Sequence, residues 1–147
     1  NMLKKFEFAQ KQGQNNFYCP TRIEEQTNGG YVAEIAHFKV TFDDDGDYYP
    51  EMGSDYVFSG GMNNAIHKKE RELENQPDNQ DLRQELVALR FVDDLCKQLR
   101  RGDVTIDEVN DQLLEKSIAF RNLYMSGDEV GDVSQSEINT FLNIPSV

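Results

Sequence analysis

The sequence predicts an α+β protein, with a small antiparallel sheet followed by helices. Three observations predict this class. Residues 3–58 alternate between apolar and polar side chains around an Asn-Gly turn, the apolar spacing becomes helical from Met62 onward, and a helix-start motif occurs twice near the C-terminus. At 147 residues the chain is expected to form one domain, mainly β over 3–58 and mainly α over 62–143.

Three or four strands are predicted in the first part of the chain. Residues 3–8 alternate weakly, and 17–26 form an extended stretch in which Pro20 requires an edge or a bend. The strongest hairpin signal is Thr27-Asn28-Gly29-Gly30, because Asn-Gly supplies the two positive-φ residues of a type I′ turn.

The longest strand candidate, 31–42, follows this turn. Five apolar residues in it share one parity, interrupted by Glu34, and predict an apolar face: Val32, Ala36, Phe38, Val40 and Phe42. An acidic turn at 43–51 separates this strand from 55–59, which is the last predicted piece of the sheet.

About four helices are predicted, a helical hairpin with flanking helices, at about 62–75, 78–101, 105–125 and 134–143. Pro77 ends the first helix, Asp78 and Asp81 begin the second, and Gly102 ends the second as the glycine after its last turn. The second helix carries Leu82, Leu86, Leu89, Val92, Cys96 and Leu99 on one face.

The repeated motif, G-D-V-[ST]-x-x-E-[VI]-N-x-x-L, occupies 102–113 and 131–142. In each copy the hydroxyl of Thr105 or Ser134 caps a helix, and Glu108 or Glu137 reaches back to the cap residue, which makes a capping box. The motif predicts two helix starts, and it is too short and too common to identify a family.

The charge of the chain is strongly acidic, with 15 Lys and Arg against 27 Asp and Glu. Five basic and four acidic residues precede Asp43, so the remainder carries a net charge of −13. Such a surface repels nucleic acid and anionic membranes, and it attracts basic protein surfaces. Solubility alone is the alternative reason for this charge.

Two cysteines, Cys19 and Cys96, lie far apart in the sequence and are expected to be free thiols in a reducing cytoplasm, with a disulfide between them as the alternative. The chain has no stretch apolar enough to span a membrane and no signal-peptide pattern at its N-terminus. Cys19 with His37 is conceivable as a nucleophile and its base, although a structural cysteine is the favoured reading.

No cofactor or metal is expected. In the acidic turn, an EF-hand reading that places Gly46 at position 6 puts Thr41 and Met52 at the two ends, where ligands are required. A better match is 126–137, in which Gly131 takes position 6 and Glu137 takes position 12, but Ser126 at position 1 and Val130 at position 5 weaken it. A weak calcium-binding module at 126–137 therefore stays as an alternative.

Two acidic clusters are the candidate partner-binding sites. The first consists of Asp43, Asp44, Asp45, Asp47, Glu51 and Asp55 with Tyr48 and Tyr49, and the second of Asp103, Asp107, Glu108 and Asp111. Exposed tyrosines among carboxylates suit a basic protein partner, because the charges speed association and the aromatic rings supply affinity.

We therefore expect a non-enzymatic acidic interaction protein that binds and modulates or inhibits a basic protein, for example a nucleic-acid-binding one, and does not itself bind nucleic acid or membrane. The small, acidic, amide-rich composition is one we associate with accessory proteins of phages and mobile elements. No sequence motif supports this association. The alternative is a structural or assembly subunit, of virion type, that self-associates through its helical hairpin. An enzyme ranks last, because no nucleophile, metal cluster or phosphate loop stands out.

Overall fold

The computed structural model describes residues 16–45 and 48–124. They form strands β1 (Asn16–Glu25), β2 (Tyr31–Phe42) and β3 (Tyr48–Phe58), a short 3-10 turn (Ser59–Gly61), and helices α1 (Met62–Asn75), α2 (Gln80–Arg101) and α3 (Ile106–Tyr124). The α+β class is confirmed, with three α-helices in the described residues rather than about four. The predicted strand at 3–8, the second motif copy and the helix at 134–143 lie outside these residues.

The sheet is antiparallel with strand order β1-β2-β3. β1 is therefore an edge strand, and its register against β2 shifts between Pro20 and Arg22. Because proline has no N–H to donate to a neighbouring strand, this edge position and irregularity are where it is tolerated. The prediction of an edge or a bend at Pro20 is confirmed.

The β1–β2 turn has a different geometry from the predicted type I′ turn. The N–H of Gly29 donates to the carbonyl of Gln26 at 3.0 Å, so Thr27 and Asn28 are the central residues of the turn. Gly29 follows them with a φ of 86°, and the N–H of Gln26 donates to the carbonyl of Gly30 at 2.7 Å. These bonds define a three-residue hairpin loop whose left-handed position is Gly29.

The buried face of β2 is the opposite of the predicted one in the first half of the strand. Tyr31, Ala33 and Ile35 are buried, whereas Val32 is only half-buried. Glu34 shares the parity of Val32, and its carboxylate accepts hydrogen bonds from the hydroxyls of Thr21 (2.7 Å) and Tyr56 (3.1 Å). Ala36 is also buried, so the middle strand is covered on both faces near its centre.

The acidic turn is shorter than predicted, because residues from Tyr48 onward belong to β3. Tyr48 pairs with Phe42 and Glu51 pairs with Lys39, so β3 extends over eleven residues rather than only 55–59. Apolar and charge pairing across the two strands outweighs the low strand propensity of this acidic stretch.

The limits of the helices follow local signals. α1 covers the predicted residues and ends before Pro77. The cap of α2 is Asn79, not Asp78, since its Oδ1 accepts from the N–H of Leu82 at 3.0 Å. Gly102 ends α2 with a φ of 77°, and the following Asp103 N–H donates to Gln98 O at 3.0 Å, which closes a Schellman motif.

The first copy of the repeated motif forms the predicted capping box at the start of α3. The N–H of Glu108 donates to Thr105 Oγ1 at 3.1 Å, and the N–H of Thr105 donates to Glu108 Oε1 at 3.1 Å. Val109 is buried in the core and Val104 packs against the same cluster, so the residues on either side of the cap form a hydrophobic staple.

The core lies between the inner face of the sheet and the three helices. Its buried residues are Ile23, Tyr31, Ala33, Ile35, Met62, Ile66, Leu86, Ala88, Leu89, Phe91, Val92, Leu95, Cys96, Leu99, Val109 and Leu113. α1 packs on α2, α3 packs on β1, and α2 packs on both α1 and β1. The helices therefore cover the β1 side of the sheet, and β3 lies on the side away from them.

Side chains from α2 and α3 complete the free edge of β1. The bonds join the N–H of Asn16 to Asp81 (2.9 Å), the N–H and carbonyl of Tyr18 to Gln84 (2.9 and 3.2 Å), and the N–H and carbonyl of Ile23 to Asn110 (both 2.9 Å). Two side-chain amides thus take the place of a fourth strand, and the helices close this edge to any further strand.

Candidate interaction surface

The first acidic cluster lies on the β2–β3 hairpin, at the end of the sheet away from the β1–β2 turn. Asp44 and Asp45 are exposed and Asp43 is half-buried, with its Oδ1 accepting from the N–H of Asp45 at 3.0 Å. Asp47 lies outside the described residues. Tyr48 and Tyr49 pair in β3 opposite Phe42 and Thr41, and their side chains also lie outside the described part.

Glu51 and Asp55 extend this cluster along β3. Both are exposed, and their odd numbers place them on the same face of the strand with Gly53 between them. Glu51 lies opposite Lys39, whereas Asp55 lies opposite the apolar Ile35. Nδ1 of His37 lies 3.9 Å from Oδ2 of Asp55.

The second acidic cluster lies around the start of α3, and two of its members have other roles. Asp103 accepts from Nε of Arg101 at 2.9 Å, and the Glu108 carboxylate accepts from the backbone in the capping box. Asp107 and Asp111 are exposed, one helical turn apart. An acidic residue in the first turn of a helix is stabilised by the helix dipole, so Asp107 has a structural reason to be there.

The two clusters do not form one surface. α3 lies against β1, where Asn110 bonds to Ile23, and Ile23 pairs with Ala33 of β2. The acidic hairpin follows Phe42, nine residues further along β2, and it leads into the other edge strand. Nine residues of strand span about 30 Å, so Asp43, Asp44 and Asp45 lie at the corner of the sheet diagonally opposite to α3. Asp55 lies nearer to α3, because it pairs with Ile35, two residues from Ala33 in β2.

An exposed apolar row on β3 accompanies the first cluster. Met52, Tyr56 and Phe58 have 41%, 61% and 52% of their surface exposed, on the face opposite to Glu51 and Asp55. Tyr56 and Phe58 lie in 55–59, which is the last predicted piece of the sheet. The alternation from Glu51 to Phe58 could have revealed this row, once the strand was known to include all of these residues.

Cys19 and His37 do not form a nucleophile–base pair. His37 stacks on Tyr18, with ring centroids 4.7 Å apart, whereas the next residue, Cys19, points to the other face of β1. Burial raises the pKa of the Cys19 thiol to about 12, and Lys116 opposes this shift. The thiol is therefore protonated at neutral pH, which is the state of a structural cysteine.

Both cysteines are free and buried, as expected. Among residues 16–45 and 48–124, no group of three or more His, Cys, Asp or Glu side chains has an arrangement that could hold a metal ion. The calcium-loop alternative at 126–137 lies outside these residues. None of the helices in the described part has the length and apolar character needed to cross a bilayer.

The arrangement that remains is a strand, β3, with carboxylates on one face and apolar side chains on the other. It suits contact with a macromolecule better than chemistry on a small one, because its side chains spread along an open strand rather than converge. The chain matches no protein-family model, no curated protein and no solved structure.

Proposed function

We propose that this protein is a non-enzymatic acidic interaction protein that binds and modulates a basic protein, such as a nucleic-acid-binding protein. The observation that carries the proposal is the exposure of the hairpin carboxylates. Asp44, Asp45 and Glu51 are exposed, and within the described part of the chain no Lys or Arg forms an ion pair with them.

This charge acts before and during contact. The chain carries a formal net charge of −12, so its field attracts a basic partner from a distance of about the Debye length, ~8 Å at physiological salt. At contact, carboxylates held by the hairpin can pair with Lys and Arg side chains that otherwise bind phosphates. Occupying those side chains would inhibit a nucleic-acid-binding partner without this protein touching nucleic acid.

The adjacent apolar row supplies a second component of binding. Surface ion pairs alone contribute at most about 1 kcal/mol each, whereas aromatic side chains dominate the energetics of most interfaces. Tyr56 and Phe58 lie on the same strand as Glu51 and Asp55, so one partner can contact both kinds of side chain. We therefore assign the partner-binding role to the β2–β3 hairpin rather than to the start of α3.

The first test is an affinity capture from nuclease-treated lysate of the cells that carry the gene, at low and at high salt. The expected result is one dominant basic protein that is released at high salt. It should then bind the purified chain directly, which isothermal titration calorimetry can measure. Capture of no basic protein under either condition would contradict the proposal.

A matched pair of variants locates the surface on that partner. Replacing Asp44, Asp45, Glu51 and Asp55 by Asn should weaken binding roughly tenfold or more and flatten its dependence on salt. The control variant, Asp107→Asn with Asp111→Asn, removes exposed charge at the distant α3 corner and should change affinity little. If the control had half the effect of the first variant, in proportion to the two charges that it removes against four, only the total charge would matter.

A second candidate function, a self-associating structural subunit, is favoured by one observation. Leu114 and Ile118 lie one helical turn apart on α3, with 57% and 51% of their surface exposed. If these two residues form a contact between copies, sedimentation should show an oligomer. Replacing both residues by Lys should then dissociate that oligomer. A monomer at all concentrations would exclude this function.

A further inference from the structure

The two edges of the sheet differ in a way that the acidic charge does not explain. The edge of β1 is closed by side chains of Asp81, Gln84 and Asn110. Within the described residues, no strand or helix closes the outer edge of β3. β3 is also exposed at every position from Glu51 to Tyr56, whereas the middle of β1 is buried.

The backbone groups that point outward from β3 follow from the pairing. Because Asn16, Tyr18 and Ile23 direct their N–H groups away from β2, their partners in β2 direct theirs toward β3. Those partners, Lys39, His37 and Ala33, lie opposite odd-numbered residues of β3. The even-numbered residues therefore present their N–H and carbonyl groups at the open edge, and they include Met52, Ser54 and Tyr56. Pro50 falls in the same series and has no N–H, so it ends the row of donors.

An added strand would meet two different surfaces at this edge. On one side it would lie beside Glu51 and Asp55, and on the other beside Met52 and Tyr56. Side chains directly opposite each other in neighbouring strands lie on the same face of the sheet. A strand that complements this edge therefore alternates basic with apolar residues.

A second copy of this chain complements the edge poorly. Two antiparallel copies of β3 centred on Gly53 would place Glu51 of each copy opposite Asp55 of the other, and like charges directly opposite are destabilising. Centring the pair on Ser54 still leaves these four carboxylates on one face. The charge of the edge thus selects against self-pairing and for a basic strand.

We infer that the open edge of β3 binds an extended segment of a partner protein by strand addition, and that Lys or Arg alternates with apolar residues in that segment. The inference rests on the proposed function, since it specifies how the basic partner docks. Main-chain hydrogen bonds to Met52, Ser54 and Tyr56 supply affinity, and the alternating side chains supply selectivity.

The test uses a fluorescent peptide in which Lys alternates with Val. The peptide has about eight residues, which is within the usual length of a strand. Its isomer has the same composition with the lysines grouped in one half. Anisotropy should show that the full chain binds the alternating peptide roughly tenfold or more tightly than the isomer, because only the alternating peptide can place all of its lysines on the acidic face. Hydrogen exchange should show new protection of the amides of Met52, Ser54 and Tyr56.

Ser54→Pro is the decisive variant, since it removes the central outward N–H and leaves every charge in place. It should weaken binding of the alternating peptide roughly tenfold or more, whereas Ser54→Ala, which retains the N–H, should bind as the unchanged protein does. Circular dichroism establishes that both variants fold. The exchange measurement on the unchanged chain gives an answer even if Ser54→Pro does not fold.

The outcomes separate this inference from the proposed function. Equal, salt-sensitive binding of both peptides, with no new amide protection, would overturn strand addition and leave the basic-partner proposal in place. Failure of the chain to bind either peptide would overturn strand addition as well, and the captured partner would then have to dock elsewhere. Protection at Met52, Ser54 and Tyr56 together with loss of binding in Ser54→Pro is the supporting result.

Discussion

The side-chain amide of Asn110 bonds to both backbone groups of Ile23, although 87 residues separate them in the chain. The N–H of Ile23 donates to Oδ1, and Nδ2 donates to the carbonyl, each at 2.9 Å. A neighbouring strand would satisfy Ile23 with the same two bonds. Ile23 is fully buried, so its N–H and carbonyl depend on these two bonds for partners.

We predict that Asn110→Ala lowers the free energy of unfolding by about 2 kcal/mol, because it leaves two buried backbone groups without partners. Urea denaturation measures the change. Asn64→Ala is the matched control, since Asn64 is exposed in α1 and gains the same helix propensity from alanine. Equal effects of the two changes would show that the bonds to Ile23 contribute nothing.

Gly102→Ala tests the left-handed residue that ends α2. We expect a loss of about 1 kcal/mol in the free energy of unfolding, because alanine is strained at a φ of 77°. No atom lies within 4 Å of an added Cβ, so the loss is conformational and not steric. Gly60→Ala is the control, since it also has open space around the added Cβ and lacks a positive φ. A stability unchanged by Gly102→Ala would contradict the assignment.

Features encoded by neighbouring residues were predicted correctly from the sequence. The end of α2 at Gly102, the capping box of Thr105 and Glu108, and the edge position of Pro20 each depend on the chemistry of one or a few residues. Such signals act over a few neighbouring residues, so they can be recognised in the sequence without knowledge of the tertiary structure.

Features set by distant contacts were predicted poorly. The prediction of the buried face of β2 was wrong because the half-buried Glu34 has hydroxyl partners on both neighbouring strands, Thr21 on β1 and Tyr56 on β3. The strand from Tyr48 was missed because its pairing with β2 outweighs its acidic composition. The amide clamps on β1 and the open edge of β3 depend on how the helices are placed, which no local pattern records.

The capping box at α3 gives a second stability prediction. Thr105→Ala should lower the free energy of unfolding by about 1 kcal/mol, whereas Thr105→Ser keeps the hydroxyl and should change it by a few tenths. A double-mutant cycle with Glu108→Ala, read by urea denaturation, should give a coupling of about 0.5 kcal/mol, since each residue bonds to the backbone of the other. Strict additivity of the two changes would show that the two bonds form independently.

The buried thiols predict that the protein becomes less stable in alkaline solution. Burial raises the pKa of Cys19 to about 12 and that of Cys96 to about 11, from an ordinary value of 9.0. Between the ordinary value and these raised values, the unfolded chain releases protons that the folded chain keeps. The free energy of unfolding therefore falls as the pH rises through this window, and the thiol contribution is fully present below it.

The measurement is urea denaturation at a series of pH values across this window. The variant with Cys19→Ala and Cys96→Ala is less stable throughout because it has cavities, but its stability should fall less steeply with pH. Burial also raises the pKa of Tyr18, and that effect is common to both proteins, so it cancels in the comparison. Parallel slopes would show that the thiols titrate alike in the folded and unfolded chains.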